Sequence, residues 1–245
     1  MGSRPDLPHH IAAHVAENVT AIKSCINESL DIVVRCFKLG NGQEAAAFYV
    51  DGLVDKAVLG RDVFFRMQHA EKKSPWSIAE IEKQLLSTGG VKQCDDFAEM
   101  MAAVLQGLMA LFVEGDTRAL LIEAISWQQR SVAEPGTDVV IRGPREGFIE
   151  SLRINVSLLR RKIHHPDFVA ETVRLGRYSQ TDIALVYVSS IVNQDVLKEV
   201  KQRLQRIDID AILDSGYVEQ LIQDTPYSLF RSEERRVGKE CRSRW

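Results

Sequence analysis

A glycine- and proline-rich turn at residues 143–147 is the first place in the sequence where binding chemistry is expected. Gly143-Pro144-Arg145-Glu146-Gly147 leads directly into a predicted helix, whose first-turn amides and positive end attract anions. The turn lacks the Lys-Ser/Thr pair of a phosphate-binding loop and follows no strand, so it does not predict ATP or NAD. We take Arg142, Arg145 and Glu146 as ligand- or partner-binding candidates. The alternative is a rigid turn whose arginines pair with acidic neighbours.

The histidines form no metal-binding or catalytic pattern. His164-His165 lies between a predicted helix and Pro166, and the remaining candidates, His9, His10 and His14, share no ligand spacing with a cysteine or carboxylate. No Gly-x-Ser-x-Gly turn is present, and nothing ties a serine or cysteine to a particular histidine. The sequence therefore predicts no metal, no cofactor and no enzymatic activity.

The cysteines indicate a reducing compartment. Apart from Cys241 in the vector-like tail at 231–245, the sequence contains Cys25, Cys36 and Cys94, which are odd in number, lack metal-ligand spacing and lie in apolar-rich segments. Because free cysteine is among the most buried residue types, we predict that all three are core residues.

The last fifteen residues, 231–245, differ in composition from the rest of the chain. They read RSEERRVGKECRSRW, resemble vector read-through, and contain six Lys or Arg against three Glu. The whole chain carries a formal charge of −3, so residues 1–230 carry −6. Nucleic-acid binding depends on clustered Lys and Arg, and an acidic body therefore argues against that partner.

No membrane anchor is predicted within this sequence. The N-terminus shows neither a signal peptide nor a myristoylation pattern. The longest apolar stretch, residues 100–113, is shorter than the ~20 residues that span a bilayer. We therefore expect the chain as given to be soluble.

The same order of secondary-structure elements is predicted twice along the chain, and repeats of this kind determine the architecture. Apolar spacing predicts helices, runs of β-forming residues predict strands, and Asn41-Gly42 predicts a tight turn. The first helix–strand–strand–helix unit covers residues 11–26, 31–40, 44–50 and 56–68, and the second covers 147–163, 167–176, 182–190 and 196–207.

The two units also match residue by residue. Leu39-Gly40 corresponds to Leu175-Gly176, and the segment from Tyr49 to Asp55 corresponds to the segment from Tyr187 to Asn193. The matching segments also take the same places in the order of elements. This agreement favours duplication of one fold.

The other elements complete two predicted subdomains. A helix at 95–108 with Asp95 as N-cap and a hairpin at 109–124 turning at Gly115-Asp116 belong to the first, and a helix at 211–224 belongs to the second. We predict an α/β (α+β) fold of two related subdomains, each a small sheet flanked by helices. The predicted ranges are 11–134 for the N-terminal subdomain, 135–147 for the linker, 148–230 for the C-terminal subdomain and 231–245 for the tail.

Two blocks of the sequence carry a resemblance to a known family. The first is Ile141–Phe148 followed by a helix with Asn155 and Leu158-Leu159-Arg160-Arg161, and the second is Asp214–Ile222 with Pro226-Tyr227-Ser228 after it. Both blocks resemble the A subunits of GerA-type spore germinant receptors. Together with the segment from Tyr49 to Asp55, they spread the resemblance over most of residues 30–230.

This resemblance implies a subunit of a nutrient receptor in the inner membrane of bacterial spores. It implies a soluble N-terminal domain of two α/β subdomains that faces the cytoplasm, and membrane attachment only through a C-terminal part that is missing here. The implied partners are integral-membrane B-type and lipoprotein C-type subunits, and no catalytic residue carries over. The function expected is germination signalling through subunit contacts. The alternative is binding of a small polar nutrient in the cleft between the subdomains.

Overall fold

The computed structural model describes residues 8–26, 29–86, 90–125, 147–212 and 214–223, and within them the fold is mixed α/β. The helical segments are α1 (Val15–Cys25), α2 (Lys56–Val58), a π-helix (Leu59–Phe65), α3 (Arg66–Gln68), α4 (Ile78–Gln84), α5 (Phe97–Leu105), α6 (Leu152–Lys162), α7 (Gln194–Arg206) and α8 (Ser215–Ile222). The strands are β1 (Ile32–Lys38), β2 (Glu44–Val50), β3 (Val91–Cys94), β4 (Leu108–Val113), β5 (Ala119–Glu123), β6 (Phe168–Leu175) and β7 (Thr181–Val188).

The larger sheet has five antiparallel strands in the order β1-β2-β4-β5-β3, so β2 lies between β1 and β4. Ala45, Ala47 and Tyr49 point into a core shared with the helical run at 56–68, and the alternate residues of β2 point into a second core with α1 and α5. Successive side chains of a strand face opposite ways, so a strand covered on both sides must be apolar at every position. Phe48 is fully buried, and burying a side chain of this kind contributes about 2–3 kcal/mol.

The predicted helix–strand–strand–helix order is present in both places. The first copy is α1, β1, β2 and the continuous helical run from α2 to α3, and the second is α6, β6, β7 and α7. Asp55 caps the first closing helix by accepting hydrogen bonds from the amides of Ala57 at 2.8 Å and Val58 at 3.2 Å. Asn193, its predicted counterpart, caps α7 by accepting from the amide of Asp195 at 2.9 Å.

A shared side-chain bracket explains why both opening helices begin later than predicted. Asn18 in α1 accepts from the amide of Ala12 at 2.9 Å and donates to its carbonyl at 2.7 Å. Asn155 in α6 does the same with Ile149, at 2.8 and 2.7 Å. Each bracket occupies both backbone groups of a residue six positions upstream, which keeps that residue out of the helix. The helices therefore start at Val15 and Leu152.

The two hairpins end in matching hydrogen bonds. The amide of Asp51, just after β2, donates to the carbonyl of Asp31 at 2.6 Å, and the amide of Ser189, just after β7, donates to the carbonyl of Asp167 at 2.8 Å. Tyr49 and Tyr187 each lie next to the last residue of the second strand of their hairpin. The two tyrosines thus occupy the same topological place.

Other predicted elements are confirmed with shifted ends. The hairpin turning at Gly115 is formed by β4 and β5, and Gly115 has a φ of 89°. The predicted cap Asp95 was wrong by one residue: Asp96 caps α5 by accepting from the amide of Glu99 at 2.8 Å. The backbone carbonyl of Asp95 accepts a hydrogen bond from the amide of Ile11 at 3.2 Å.

Two elements, α4 and β3, were not predicted. Strand β3 is a four-residue edge strand paired with β5. Helix α4 begins with a capping box, in which the Ser77 hydroxyl accepts from the amide of Glu80 and the Glu80 carboxylate accepts from the amide of Ser77 at 3.1 Å. Ser-x-x-Glu before an apolar residue is a sequence signal for a helix start, so this helix could have been found.

The chain divides into two compact units at places other than the predicted linker. The first unit contains Met1–Thr172 and Ala184–Ile191, and the second contains Val173–Ile183 and Val192–Trp245. The second unit has its own small apolar core around Leu175, Leu204 and Ile212. The predicted linker at 135–147 falls largely outside the described residues, and the predicted subdomain boundaries stay a prediction.

A buried ion pair within the first unit joins α6 to the segment before β1. Arg160 is fully buried and Asp31 is 3% exposed. The guanidinium donates to Asp31 through Nε at 2.6 Å and through Nη2 at 3.0 Å. It also donates to the carbonyls of His165 at 2.9 Å and Phe168 at 3.0 Å, and lies 4.3 Å from the centroid of the Phe168 ring.

The same network fixes the segment before β1 against β6. The Ser29 hydroxyl donates to Asp31 at 2.5 Å and accepts from the amide of Ala170 at 2.9 Å. The amide of Leu30 donates to the Ala170 carbonyl at 2.8 Å. Both charges are thus hydrogen-bonded on several sides, which is the condition for a buried ion pair to be tolerated.

Replacing Arg160 by methionine is expected to lower the free energy of unfolding by about 3–5 kcal/mol, because the Asp31 carboxylate stays buried without its partner. Chemical denaturation measures the change. The control is Arg174→Met, which removes an exposed pair with Asp182 and should cost less than about 1 kcal/mol. The double variant Asp31→Leu/Arg160→Met should recover part of the loss. A stability of Arg160→Met equal to that of the control would contradict this assignment.

The start of α1 is tied to the β4–β5 turn by an exposed pair that responds to pH. Glu114 accepts from His14 Nδ1 at 2.7 Å and from the amide of Val15 at 2.8 Å. The hydrogen bond and charge of Glu114 raise the pKa of His14 above its usual 6.5. The backbone hydrogen bond from Val15, followed by the one from His14, lowers the pKa of Glu114.

A raised pKa in the folded state means that the stabilisation by His14 is complete below the unfolded pKa, near 6.5, and disappears as pH rises through the folded value. The variant His14→Ala should therefore be less stable than the parent at pH 5.5, and the difference should shrink by pH 8.5. Thermal unfolding of both proteins across this range measures the difference. A stability difference that does not change with pH would rule out the charged pair.

Candidate functional site

The predicted site residues Arg142, Arg145 and Glu146 lie outside the described residues. The description resumes at Gly147, and the exposed Phe148 follows it. The structure therefore neither brings these three residues together nor separates them, and their role stays a prediction.

A different group of residues forms a cleft in the first unit, which we call the Asp51 cleft. It lies between the turn that connects β2 to α2 and one face of α6, and its volume is about 300 Å³. The lining residues are Asp51, Gly52, Val54, Asp55, Lys56, Ala57, Arg153, Ile154, Ser157, Leu158 and Arg161. This volume lies at the lower end of the range for small-molecule sites, which is roughly 300–1,000 Å³.

Gly52 allows α6 to approach the turn closely. Its φ is +84°, a conformation that side-chain-bearing residues rarely adopt. A Cβ atom built on Gly52 would lie 2.8 Å from the Cβ of Ser157, closer than such atoms come in proteins. The position requires glycine for its backbone conformation and for space, so the shape of the cleft depends on it.

The charged lining of the cleft is centred on a buried carboxylate. Asp51 is 8% exposed, and its two oxygens lie 2.8 Å from Lys56 Nζ and 3.4 Å from Arg153 Nη1. Both cations are more than half exposed, so they face solvent on one side and Asp51 on the other. A ligand carboxylate can approach the cations, and a ligand ammonium can approach Asp51.

The second carboxylate of the cleft, that of Asp55, is engaged in capping. One of its oxygens accepts from the amides at the start of α2, as described above, so it fixes the helix rather than offering a free acid. The Ser157 hydroxyl donates to the carbonyl of Ile154 at 2.8 Å. The lining contains no histidine and no cysteine. The arrangement can bind and orient a polar molecule, but it lacks a paired nucleophile and base.

The cysteines differ in their surroundings. Cys94 is buried, and burial raises the pKa of its thiol, which donates to the carbonyl of Asp96 at 3.2 Å. Cys25 is half-buried, and Cys36 is exposed. The prediction of three core cysteines was therefore wrong for Cys36, because its strand β1 is the edge of the sheet. Among the described residues, no three His, Cys, Asp or Glu side chains are grouped so that they could hold a metal ion.

Sequence reasoning missed the cleft. Asp51-Gly52 lies between the predicted strand at 44–50 and the predicted helix at 56–68, and Arg153 lies in the predicted helix at 147–163. The sequence signal that could have pointed to the cleft is an acid followed by a glycine directly after a strand. Such a signal does not say which distant helix covers the turn, since α6 lies about 100 residues further along the chain.

Within the part of the chain that the structure describes, no helix combines the length and the apolar character needed to cross a bilayer.

The known sequences that match this chain are spore germination proteins. The sequence pattern of the Bacillus/Clostridium GerA spore germination proteins matches residues 20–235. The chain is 37% identical over 226 residues to spore germination protein KA of Bacillus subtilis (strain 168), covering 91% of this chain and 42% of that protein. It is 29% identical over 230 residues to spore germination protein GerLA of Bacillus cereus, covering 92% of this chain and 47% of the relative. The chain thus spans less than half the length of these relatives.

A solved structure gives the same result at the level of the fold. The crystal structure of the N-terminal domain of the A subunit of the Bacillus megaterium spore germinant receptor GerK3 matches with a TM-score of 0.67 and 31% sequence identity. The match covers 91% of this chain and 84% of the solved chain. This chain therefore belongs to the GerA family of spore germination proteins, and its fold is that of the N-terminal domain of a germinant receptor A subunit.

Proposed function

We propose that this domain transmits nutrient detection in spore germination through contacts with the other subunits of a germinant receptor. The proposed partners are integral-membrane B-type and lipoprotein C-type subunits, and the proposed location is the cytoplasmic side of the inner spore membrane. The observation that carries the proposal is the match to the N-terminal domain of a receptor A subunit over 91% of the chain.

The surface around Phe65 supports a contact role. Phe65 is 58% exposed and stacks on His69, with ring centroids 4.2 Å apart. It is the last residue of the π-helix, in which Leu59, Val63 and Phe64 are buried. Exposed aromatic side chains held in place by the backbone are typical anchors of protein interfaces. Arg142, Arg145 and Glu146 remain further candidates for such contacts in this proposal.

The variant Phe65→Ala in the whole receptor should slow nutrient-triggered germination, because truncating an interface anchor costs about 2 kcal/mol or more, roughly 30-fold in affinity. The measurement is the germination rate of spores, with receptor abundance checked by immunoblot. The control is Tyr178→Ala, since Tyr178 is an aromatic residue that is 85% exposed and belongs to the second unit. Unfolding of the isolated domain should change by less than about 0.5 kcal/mol in both variants. Germination at the parental rate in Phe65→Ala spores would exclude this surface.

A second candidate function is direct binding of a small polar nutrient in the Asp51 cleft. The observation that favours it is the buried Asp51 with two half-exposed cations beside it. A molecule with both an acidic and an amino group, such as an amino acid, would satisfy both charge signs, and a polyol or sugar would satisfy their hydrogen bonds.

Titration of the domain with a panel of amino acids and sugars should give saturable NMR shifts at the cleft residues for at least one compound. The variant Arg153→Gln should then weaken binding by about 10-fold or more, because a charged hydrogen bond is worth about 1.5–3 kcal/mol. The control variant is Arg174→Gln, which changes an exposed arginine that does not line the cleft. This variant should bind the compound as the parent does. Absence of saturable shifts across the panel would refute this second function and leave the first unaffected.

A further inference from the structure

A groove separate from the Asp51 cleft lies in the second unit, between helices α7 and α8, and we call it the α7–α8 groove. Its volume is about 450 Å³. The lining residues are Asp195, Val196, Glu199, Val200, Arg203 and Ile222. All of them belong to the second unit, and none of them lines the Asp51 cleft.

The floor of this groove is apolar and reaches the surface. In α7, Leu197 and Leu204 are buried, and Leu204 belongs to the small apolar core of the second unit. Val196 and Val200 form a neighbouring stripe, since residues four positions apart lie on the same face of a helix. Val200 packs against the core from this stripe, whereas Val196 is 58% exposed. Apolar surface is thus open to solvent along the groove.

The repeat shows that this helical position is covered in the other copy. Asn193 corresponds to Asp55, and Val196 therefore corresponds to Val58. Val58 packs against the core that the helical run at 56–68 shares with the larger sheet. The same position is therefore packed in the first copy and largely exposed in the second. Exposed apolar surface rimmed by polar residues is typical of sites that bind another protein.

Arg203 holds the two walls of the groove together. Its Nε donates to Glu199, one turn earlier in α7, at 2.8 Å, and its Nη1 donates to the carbonyl of Ile222 in α8 at 2.7 Å. Ile222 also packs against the apolar core. The groove is therefore formed before anything binds to it, and the charge of Arg203 is matched by Glu199.

The remaining charge of the lining favours a cationic partner. Once Arg203 and Glu199 are paired, the lining keeps the charge of Asp195, which is exposed and directly precedes Val196. In the part of the chain that the structure describes, the Asp195 carboxylate has no cationic partner. A Lys or Arg next to an apolar side chain would match this pattern, whereas the phosphates of a nucleic acid would not.

We propose that the α7–α8 groove docks a basic amphipathic helix of another receptor subunit. The apolar face of that helix would contact Val196, Val200 and Ile222, and a Lys or Arg would pair with Asp195. Two packed helices offer ridges and grooves to a third, and an amphipathic helix in an apolar groove is a recurring mode of recognition. The source of the helix rests on the proposed function, and the groove is a contact surface separate from the one around Phe65.

NMR titration of the domain with two designed helical peptides tests the chemistry of the groove in the absence of the receptor. One probe is an amphipathic helix of leucine and lysine, and the matched probe has glutamate in place of every lysine. The Leu/Lys peptide should give saturable shifts at Val196, Val200 and Ile222, and the Leu/Glu peptide should bind at least about tenfold more weakly. Equal binding of both peptides, or shifts only outside the groove, would overturn the proposal.

Variants of the domain separate the groove from general attraction to a cationic peptide. Val196→Lys should weaken binding of the Leu/Lys peptide at least about tenfold, because it places a like charge on the apolar floor. Asp195→Asn leaves that floor intact and should weaken binding about two- to fivefold, the value of an exposed ion pair. The controls Ile191→Lys and Asp210→Asn change exposed residues that do not line the groove and should bind as the parent does. Parental affinity in both groove variants would exclude this site.

Photo-crosslinking in the whole receptor identifies the occupant. The crosslinker p-benzoylphenylalanine replaces Val196, or Ile191 as the control, and the B-type and C-type subunits carry different epitope tags. An adduct between the A subunit and a tagged subunit, formed from position 196 only, is the result expected. An adduct of two A subunits, or no adduct, would overturn the assignment to another subunit. This readout is independent of the germination rate of Phe65→Ala spores, which tests the proposed function.

Discussion

The buried Arg160–Asp31 pair is the interaction on which the site depends, because Asp31 determines the position of both walls of the Asp51 cleft. Its carbonyl accepts from the amide of Asp51 at 2.6 Å and so fixes the turn after β2. Its carboxylate holds Arg160 and so fixes α6, whose residues Arg153 and Ser157 line the opposite wall. A single residue thereby connects a local turn to a helix 129 positions away. Desolvating two charges is costly, and only the complete set of hydrogen bonds around them offsets this cost.

The repeat was predictable because each copy uses short-range interactions. The capping residues Asp55 and Asn193 and the brackets formed by Asn18 and Asn155 act over six residues or fewer. Local patterns of this kind leave a clear trace in the sequence, and so the helix–strand–strand–helix order could be predicted in both places. The exact helix starts could not be predicted from apolar spacing, since the spacing continues through residues that the asparagine brackets hold outside the helix.

The cleft was not predictable for the opposite reason: its walls meet only through long-range contacts. Asp51 and Lys56 are close in sequence, but Arg153 contacts Asp51 from a distant element. Neither segment contains a pattern that indicates this contact. Arg160 illustrates the same limit, because nothing in the basic run Arg160-Arg161-Lys162 indicates that Arg160 is fully buried. Burial of a charge is decided by its distant partner, and a single sequence does not reveal that partner.

The comparison of the two copies also shows how one fold has been used differently. In the first copy the turn after the second strand contains Gly52, and the closely packed α6 creates the cleft there. In the second copy the equivalent position is Ser190, and β7 is left half-exposed with an apolar sequence that its surroundings do not explain. The cleft is thus lined by the turn of the first copy and by α6 of the second, whereas β7 of the second copy carries apolar side chains that stay half-buried.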